Sequence, residues 1–164
     1  MPIPGIEQPG LIPIDGELRL RAYDGEHGFA LRWYQDAELV YLVDGVREPY
    51  TAEKLDCMYR WLDAHGELYF IEARQGELWR PIGDVTFSQE DLPIVIGEAE
   101  YRGRGVGGRV LRALIERGRA LGYAQLGVQM IYHYNAASLR CFEKAGFAVS
   151  GRTEKGVRCT LALR

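Results

Sequence analysis

The stretch Tyr101-Arg102-Gly103-Arg104-Gly105-Val106-Gly107-Gly108-Arg109-Val110-Leu111 decides the fold. Four glycines within six positions open a segment in which Val106, Val110, Leu111, Leu114, Ile115 and Leu121 recur at three- and four-residue steps. That recurrence predicts an amphipathic helix, ended by Gly122. Before it, the QEDLP turn leads into Ile94-Val95-Ile96, which reads as a short buried strand. Strand, glycines and helix in this order make an anion cradle. The glycines let backbone approach phosphate oxygens, the free N–H groups of the helix start point outward, and the helix dipole favours negative charge. From Arg102 to Arg119 there are six arginines (102, 104, 109, 112, 117 and 119) and one acid, Glu116, in a chain of net charge −3.

Two common phosphate ligands fail a further test. Gly103 to Gly108 matches G-x-G-x-x-G, but a dinucleotide site needs an acid about twenty residues on, at the end of the next strand, to hold the ribose. The next strand, Leu126 to Tyr132, holds no Asp or Glu. A Walker loop needs Gly-Lys-Ser/Thr, which is absent.

Outward from the loop, the period of the apolar residues switches between two and 3.6. Glu17 to Tyr23 alternates as a half-buried strand does, and Glu67 to Ala73 and Ile82 to Ser88 read as antiparallel strands joined through the ARQGELWRP region. Between them, a short helix ends near Gly45, and Thr51 opens a better one with Leu55, Met58, Tyr59 and Leu62 on one face. Downstream, Asn135 to Ala145 is a helix closed by Gly146, and Arg152 to Leu163 reads as two short strands around Lys155-Gly156. The order βααββ(β)αβαβ predicts an α/β fold with a mixed, largely antiparallel central sheet flanked by helices.

The 164 residues predict a single domain, 1–164, whose Pro-rich residues 1–16 form an extended or frayed arm. With 47% hydrophobic and 26% charged residues, the chain can bury a core. Its three cysteines, Cys57, Cys141 and Cys159, form no C-x-x-C pair, so a cysteine zinc site is excluded and a reducing cytoplasm expected. No signal peptide is evident at the start, and no run approaches the ~18 apolar residues of a membrane span. The arginine-rich helix lacks interleaved aromatics, which argues against nucleic acid as a partner. No metal is expected.

A second reading of the glycine loop is Arg102-x-x-Gly105-x-Gly107. Downstream stands Asn135-Ala-Ala-Ser138-Leu-Arg-Cys-Phe142-Glu-Lys144-Ala-Gly146-Phe147. Together, one helix and one strand apart, these segments resemble the R/Q-x-x-G-x-G/A and N-x-x-[AS]-x-x-x-[YF]-x-K-x-G-F motifs of the GNAT N-acetyltransferases. The resemblance covers roughly Glu17 to Leu163 and leans to the ribosomal-protein and aminoglycoside acetyltransferase branch. It implies a GNAT-like acyl-CoA N-acyltransferase fold and acetyl-CoA as cosubstrate. The backbone of Ile94, Val95 and Ile96 would hold the pantetheine arm. Arg102, Gly103, Arg104, Gly105, Val106, Gly107 and Gly108 would hold the pyrophosphate, and Asn135, Ser138 and Phe142 would contact the cofactor. The acceptor would be an amine on a small molecule or peptide, and a homodimer is compatible with this reading.

Acetyl transfer to an amine needs a base for the amine and tolerates a thiolate leaving group. Many relatives carry Tyr where Phe142 stands; phenylalanine has no proton to give, so Tyr134, Tyr132, Cys141 or water would replace it. For the base, Asp84, Glu98 and His133 compete. Asp84 lies mid-strand, where an acid is costly unless paired or functional. Glu98 follows the cofactor strand. Trp33, Tyr34, Asp44, Glu48 and Tyr50 fall in the insert that the resemblance assigns to the acceptor side. A CoA-binding module without turnover is the alternative, suggested by Phe142.

Overall fold

In the computed structural model, which describes Met1–Arg164, five antiparallel strands build the first sheet in the order β1-β2-β3-β4-β5. They are β1 (Leu11–Pro13), β2 (Leu18–Ala22), β3 (Glu67–Gln75), β4 (Leu78–Phe87) and β5 (Ile94–Ile96). Period-two alternation splits β3 between two cores: Tyr69, Ile71 and Ala73 face one way, Leu68 and Phe70 the other. The four helices are α1 (Ala37–Asp44), α2 (Ala52–His65), α3 (Val106–Ala120) and α4 (Ala136–Lys144). A second sheet, order β6-β8-β7, contains β6 (Gln125–Tyr132), β7 (Ala148–Arg152) and β8 (Gly156–Ala162).

The larger core gathers the inner faces of both sheets with α3 and α4, around Leu111, Leu114, Ile82, Val85 and Leu126, all fully buried. Truncating any one of these leucines to alanine costs about 2–5 kcal/mol. The smaller core lies under α1 and α2 on the opposite face of the first sheet. A buried ion pair pins α3 across the first core: Arg117 donates to Glu67 at 2.5 and 2.6 Å, and the Tyr69 hydroxyl donates to the same carboxylate at 2.9 Å.

Helix starts follow capping chemistry with one exception. Asp36 caps α1 by accepting from Glu38 N and Leu39 N, Thr51 caps α2 by accepting from Lys54 N, and Asn135 caps α4 by accepting from Ser138 N. Helix α3 starts at Gly105, which has no side chain to cap with.

Several expectations are corrected. The Pro-rich arm is tied down: Leu11–Pro13 pairs with β2, Ile3, Ile12 and Ile14 pack on the larger core, and Gln8 donates to Leu68 O at 3.0 Å. Proline is tolerated there because β1 is an edge strand. The ARQGELWRP region is itself strand, leaving a tight turn at Gly76-Glu77 with Gly76 at φ +63°. Strand β5 is half-buried rather than buried, because its outer edge has no partner strand. The expected central sheet is two sheets, since β5 and β6 share no ladder. No helix is long and apolar enough to cross a membrane.

Candidate active site

The gap between the sheets is a cleft of about 450 Å³, walled by β5, the glycine loop, α4 and one face of α1. Gly103 and Gly105 adopt φ +72° and +77°, the left-handed region that favours glycine. A Cβ at Gly103, Gly105 or Gly108 would meet nothing within 4 Å, while at Gly107 it would lie 3.0 Å from Cys141 Sγ. Residues 103–108 donate no turn, loop or cap hydrogen bond. Open space, outward N–H groups and an uncapped helix start together fit a diphosphate.

Strand β5 offers a free edge beside this cradle. Gly97 N donates to Ile82 O at 2.8 Å and Thr86 N to Pro93 O at 3.1 Å, which makes Asp84–Val95 the inward pair of the ladder. By alternation, the backbone groups of Ile94 and Ile96 point away from β4 towards the cleft. The Arg102 side chain turns back on this strand: its Nε donates to Ile96 O at 2.8 Å and its Nη2 to Gly97 O at 3.1 Å. At the bulge near Ile82, one carbonyl accepts from both Gly97 N and Glu98 N, which bends the chain towards the cradle.

Of the cofactor residues read from the sequence, Ile94, Val95, Ile96, Arg102, Gly103, Gly105, Val106, Gly107, Gly108, Asn135, Ser138 and Phe142 all line the cleft. Arg104 does not; its exposed side chain leaves the loop on the solvent side. Phe142 is buried against Phe147, ring centroids 5.3 Å apart.

Asp84 stands beside Val95 on the face of the first sheet opposite to α3. Its Oδ2 accepts hydrogen bonds from the hydroxyls of Tyr34 (2.7 Å) and Tyr59 (2.8 Å), and the residue is 2% exposed. Thr86 Oγ1 is the one fully buried side-chain polar atom without a partner, Asp84 Oδ1 receives no hydrogen bond, and Asp84 lies behind Val95 rather than among the residues that line the cleft. Burial pushes the Asp84 carboxyl up to about 6, against the pull of the two tyrosine hydroxyls, which stabilise its charged form. The same burial, with the neighbouring carboxylate, raises Tyr34 and Tyr59 well above the ordinary tyrosine value, so both stay donors.

Glu98 is also buried, but its oxygens are engaged. Oε1 accepts from Arg80 Nη2 at 2.5 Å, and Oε2 accepts from Arg32 and from the indole Nε1 of Trp33. Trp33 lies flat on Gly97, where a Cβ would fall 2.2 Å from the ring. Tyr134 lies outside the cleft lining. Its hydroxyl donates to Tyr41 O at 2.8 Å, and its ring stacks on Tyr41 (4.3 Å) and Tyr132 (5.1 Å), clasping α1 to the loop that precedes Asn135. His133 faces Thr153 O at 2.8 Å, on the exposed side of the second sheet. In the acceptor-side insert, Asp44 accepts from Tyr50 at 2.6 Å.

The sequence marks Leu39 and Leu42 only as part of a short helix, and shows neither that they cover the cleft with Val43 nor that Tyr59 is the second donor to Asp84. The Leu39/Leu42/Val43 spacing of three and four is the one signal that marks a covering face.

This geometry matches known proteins. The model of the acetyltransferase (GNAT) domain matches residues 17–148. The L-methionine sulfoximine/L-methionine sulfone acetyltransferase of Pseudomonas aeruginosa is 38% identical over 90 residues, 55% of this chain and 49% of that protein. The chain thus spans about half the length of the curated relatives it matches. Among solved structures, a domain from Methanocaldococcus jannaschii superposes with a TM-score of 0.76 at 19% identity, covering 90% of this chain and 99% of that one. RimL, a ribosomal L7/L12 α-N-protein acetyltransferase solved with coenzyme A, gives 0.73 at 15% identity, covering 93% and 97%. The chain belongs to the GNAT acetyltransferase family.

Proposed function

We propose that this chain transfers acetyl from acetyl-CoA to a primary amine by direct attack, with Asp84 as the base. The observation that carries the reading is that β5 has an acid-free glycine cradle beside it and, across the Asp84–Val95 pair, a buried carboxylate with one oxygen that accepts no hydrogen bond. Acetyl-CoA held there supplies an acetyl thioester, whose thiolate is a serviceable leaving group near neutral pH. The free N–H groups of 103–108 would hold its diphosphate, and the outward backbone of Ile94 and the Ile96 N–H, with Asn135, its pantetheine arm, since Ile96 O already accepts from Arg102.

Two tyrosine hydroxyls hold Asp84 Oδ2, leaving Oδ1 to accept the proton that the amine must lose. As the N–C bond forms and the C–S bond breaks, that proton passes to Oδ1 and then to solvent, while solvent protonates the departing thiolate. Phe142 gives no proton, and the Tyr134 hydroxyl already donates to Tyr41 O, so no side-chain acid is assigned. Glu98, held by two guanidinium groups and an indole, acts as a tether between the insert and the cofactor loop. The free thiols of Cys57, Cys141 and Cys159 support a cytoplasmic setting. The likeness to the Pseudomonas enzyme supports a small amino-acid-like acceptor over a peptide.

The test is an amine panel with thiol release as readout, alongside melting with acetyl-CoA. The expected result is stabilisation by acetyl-CoA and turnover with at least one amine, rising through about pH 6. Stabilisation without thiol release from any amine would make this a binding module and overturn the reading.

A further inference from the structure

The outer face of the second sheet carries a separate polar groove of about 330 Å³, which shares no lining residue with the cleft. Its floor is made of small side chains, where Thr160 of β8 pairs with Gly127 of β6 on one side and Ala148 of β7 on the other. One bank is the segment that follows β4. A Cβ at Gly127 would lie 3.2 Å from Glu90 O, so the missing side chain lets that segment close on β6. The other bank is β7, where the Arg158 side chain leans over Gly151: a Cβ there would fall 3.4 Å from Nε and 3.5 Å from Nη2. Adjacent strands run about 4.8 Å apart, so the two banks are separated by two strand spacings, or about 10 Å. Glu90 and Arg158 both line the groove, and neither forms an ion pair or a side-chain hydrogen bond. Elsewhere the chain pairs such charges readily, as Arg19 and Arg21 do on Glu72. The hydroxyls of Ser150 and Thr160, beside Arg158, also lack partners, as does the side-chain amide of Gln125, one pleat from Gly127.

The geometry points to a second ligand site in this groove, one that binds a free α-amino acid as its zwitterion. Arg158, with the hydroxyls of Ser150 and Thr160, takes the carboxylate, and Glu90 takes the ammonium. A guanidinium fork matches the two oxygens of a carboxylate, and a carboxylate accepts strongly from an ammonium. A ligand that bridges two opposite charges through hydrogen bonds of about 2.8 Å must itself carry opposite charges a few ångströms apart. An α-amino acid carries them on one carbon. The Gln125 amide, which both donates and accepts, suits a side-chain amide, so glutamine is the fitting probe. A phosphate or a polyamine fits less well, because Glu90 repels the first and Arg158 the second. The inference goes beyond the acetyl-transfer reading and uses no residue of the cradle or of the Asp84 cluster.

The experiment is an NMR titration of the full chain, without acetyl-CoA, with L-glutamine and with two analogues that each lack one charge, N-acetyl-L-glutamine and L-glutaminamide. Glutamine should bind saturably with a Kd of about 1 mM or tighter, shifting the amides of Gly127, Ser150, Arg158 and Thr160 and leaving those of the glycine cradle in place. Each analogue should bind at least about tenfold more weakly, and Glu90→Gln or Arg158→Gln should weaken glutamine by the same factor. Both side chains are exposed and unpaired, so the variants keep the fold, and unchanged spectra away from the groove verify it. No saturable shift in the wild type would overturn the site. Shifts that map to the cleft instead, or binding that survives both substitutions, would make glutamine a ligand of the cleft alone and overturn it as well. Equal binding of all three compounds would overturn the zwitterion. A failure of acetyl transfer in the amine panel would leave each of these outcomes unchanged.

Discussion

The two faces of the first sheet are built from different materials. The face towards α3 and α4 is mostly aliphatic: 4 of its 21 core residues (Tyr69, Phe87, Phe142 and Phe147) are aromatic. The face towards α1 and α2 is half aromatic, with Trp33, Tyr34, Tyr50, Tyr59 and Phe70 among 10 core residues. Aliphatic packing is non-directional and serves to hold a backbone device, the glycine cradle, at a fixed distance from β5. Aromatic packing also brings hydroxyls and an indole N–H to chosen points, and here they converge on two buried carboxylates, Asp84 and Glu98. One face therefore works through main-chain N–H groups and the other through side-chain donors.

The largest expected effect separates the faces. Asp84→Asn should lower turnover on the order of 10²–10⁴-fold with acetyl-CoA affinity unchanged, measured by steady-state kinetics and titration. Its stability should move the other way. Burial raises the folded-state value to about 6 from an ordinary value near 4, so folding stability is lost as pH rises between those limits. Asparagine can accept the same tyrosine hydrogen bonds without charge and should recover on the order of 2–3 kcal/mol above pH 7 in urea unfolding. A less stable, inactive variant at pH 8 would argue that Asp84 is structural.

Gly107→Glu should do the reverse. Its side chain enters the space between the cradle and Cys141, places a carboxylate where a phosphate belongs, and should abolish the rise in Tm that saturating CoA gives. A retained shift would remove the loop from the cofactor site.

Next in size, Tyr59→Phe removes one of the two donors that stabilise the Asp84 carboxylate. The rising limb of the pH–rate profile should move to higher pH, with a loss of about tenfold at pH 6 that recovers by pH 8. Glu98→Gln should leave that limb in place while destabilising the fold by about 1–3 kcal/mol, because Arg32 and Arg80 keep their charges. A moved limb in Glu98→Gln would transfer the base to Glu98. The smallest effect belongs to Phe142→Tyr, which adds one hydroxyl at a cleft wall and should change turnover by less than about threefold at pH 8.

The same contrast explains what could be read from the sequence. The cradle was legible because it is local: glycines, helix period and strand fall within thirty residues, and all but Arg104 of the residues named for the cofactor line the cleft. The caps Thr51 and Asn135 were legible for the same reason. The side-chain face was only partly so. Asp84 stood out as an acid within a strand, but its donors lie 50 and 25 residues away, and the partners of Glu98 lie up to 66 residues away. Such pairings are set by how α1 and α2 pack on the sheet, which no local pattern encodes. The Pro-rich arm reads only as extended or frayed for a related reason: its pairing with β2 is invisible until β2 has a free edge to offer.

The segment between β4 and β5 has a mechanical consequence. Gln89 O accepts from Gly127 N at 2.9 Å, Asp91 Oδ1 accepts from Gln129 N at 3.0 Å, and Glu90 O accepts from the Gln129 side chain at 3.0 Å. These contacts rivet the two sheets at one point, and from it β5 and the second half of β6 diverge without a ladder between them. The molecule is a wedge held at its apex, and the angle at the apex fixes the breadth of the mouth. A change at Asp91 would act as a lever on the cleft without lining it, so that the calibre of the groove can be tuned from a loop that lies outside it.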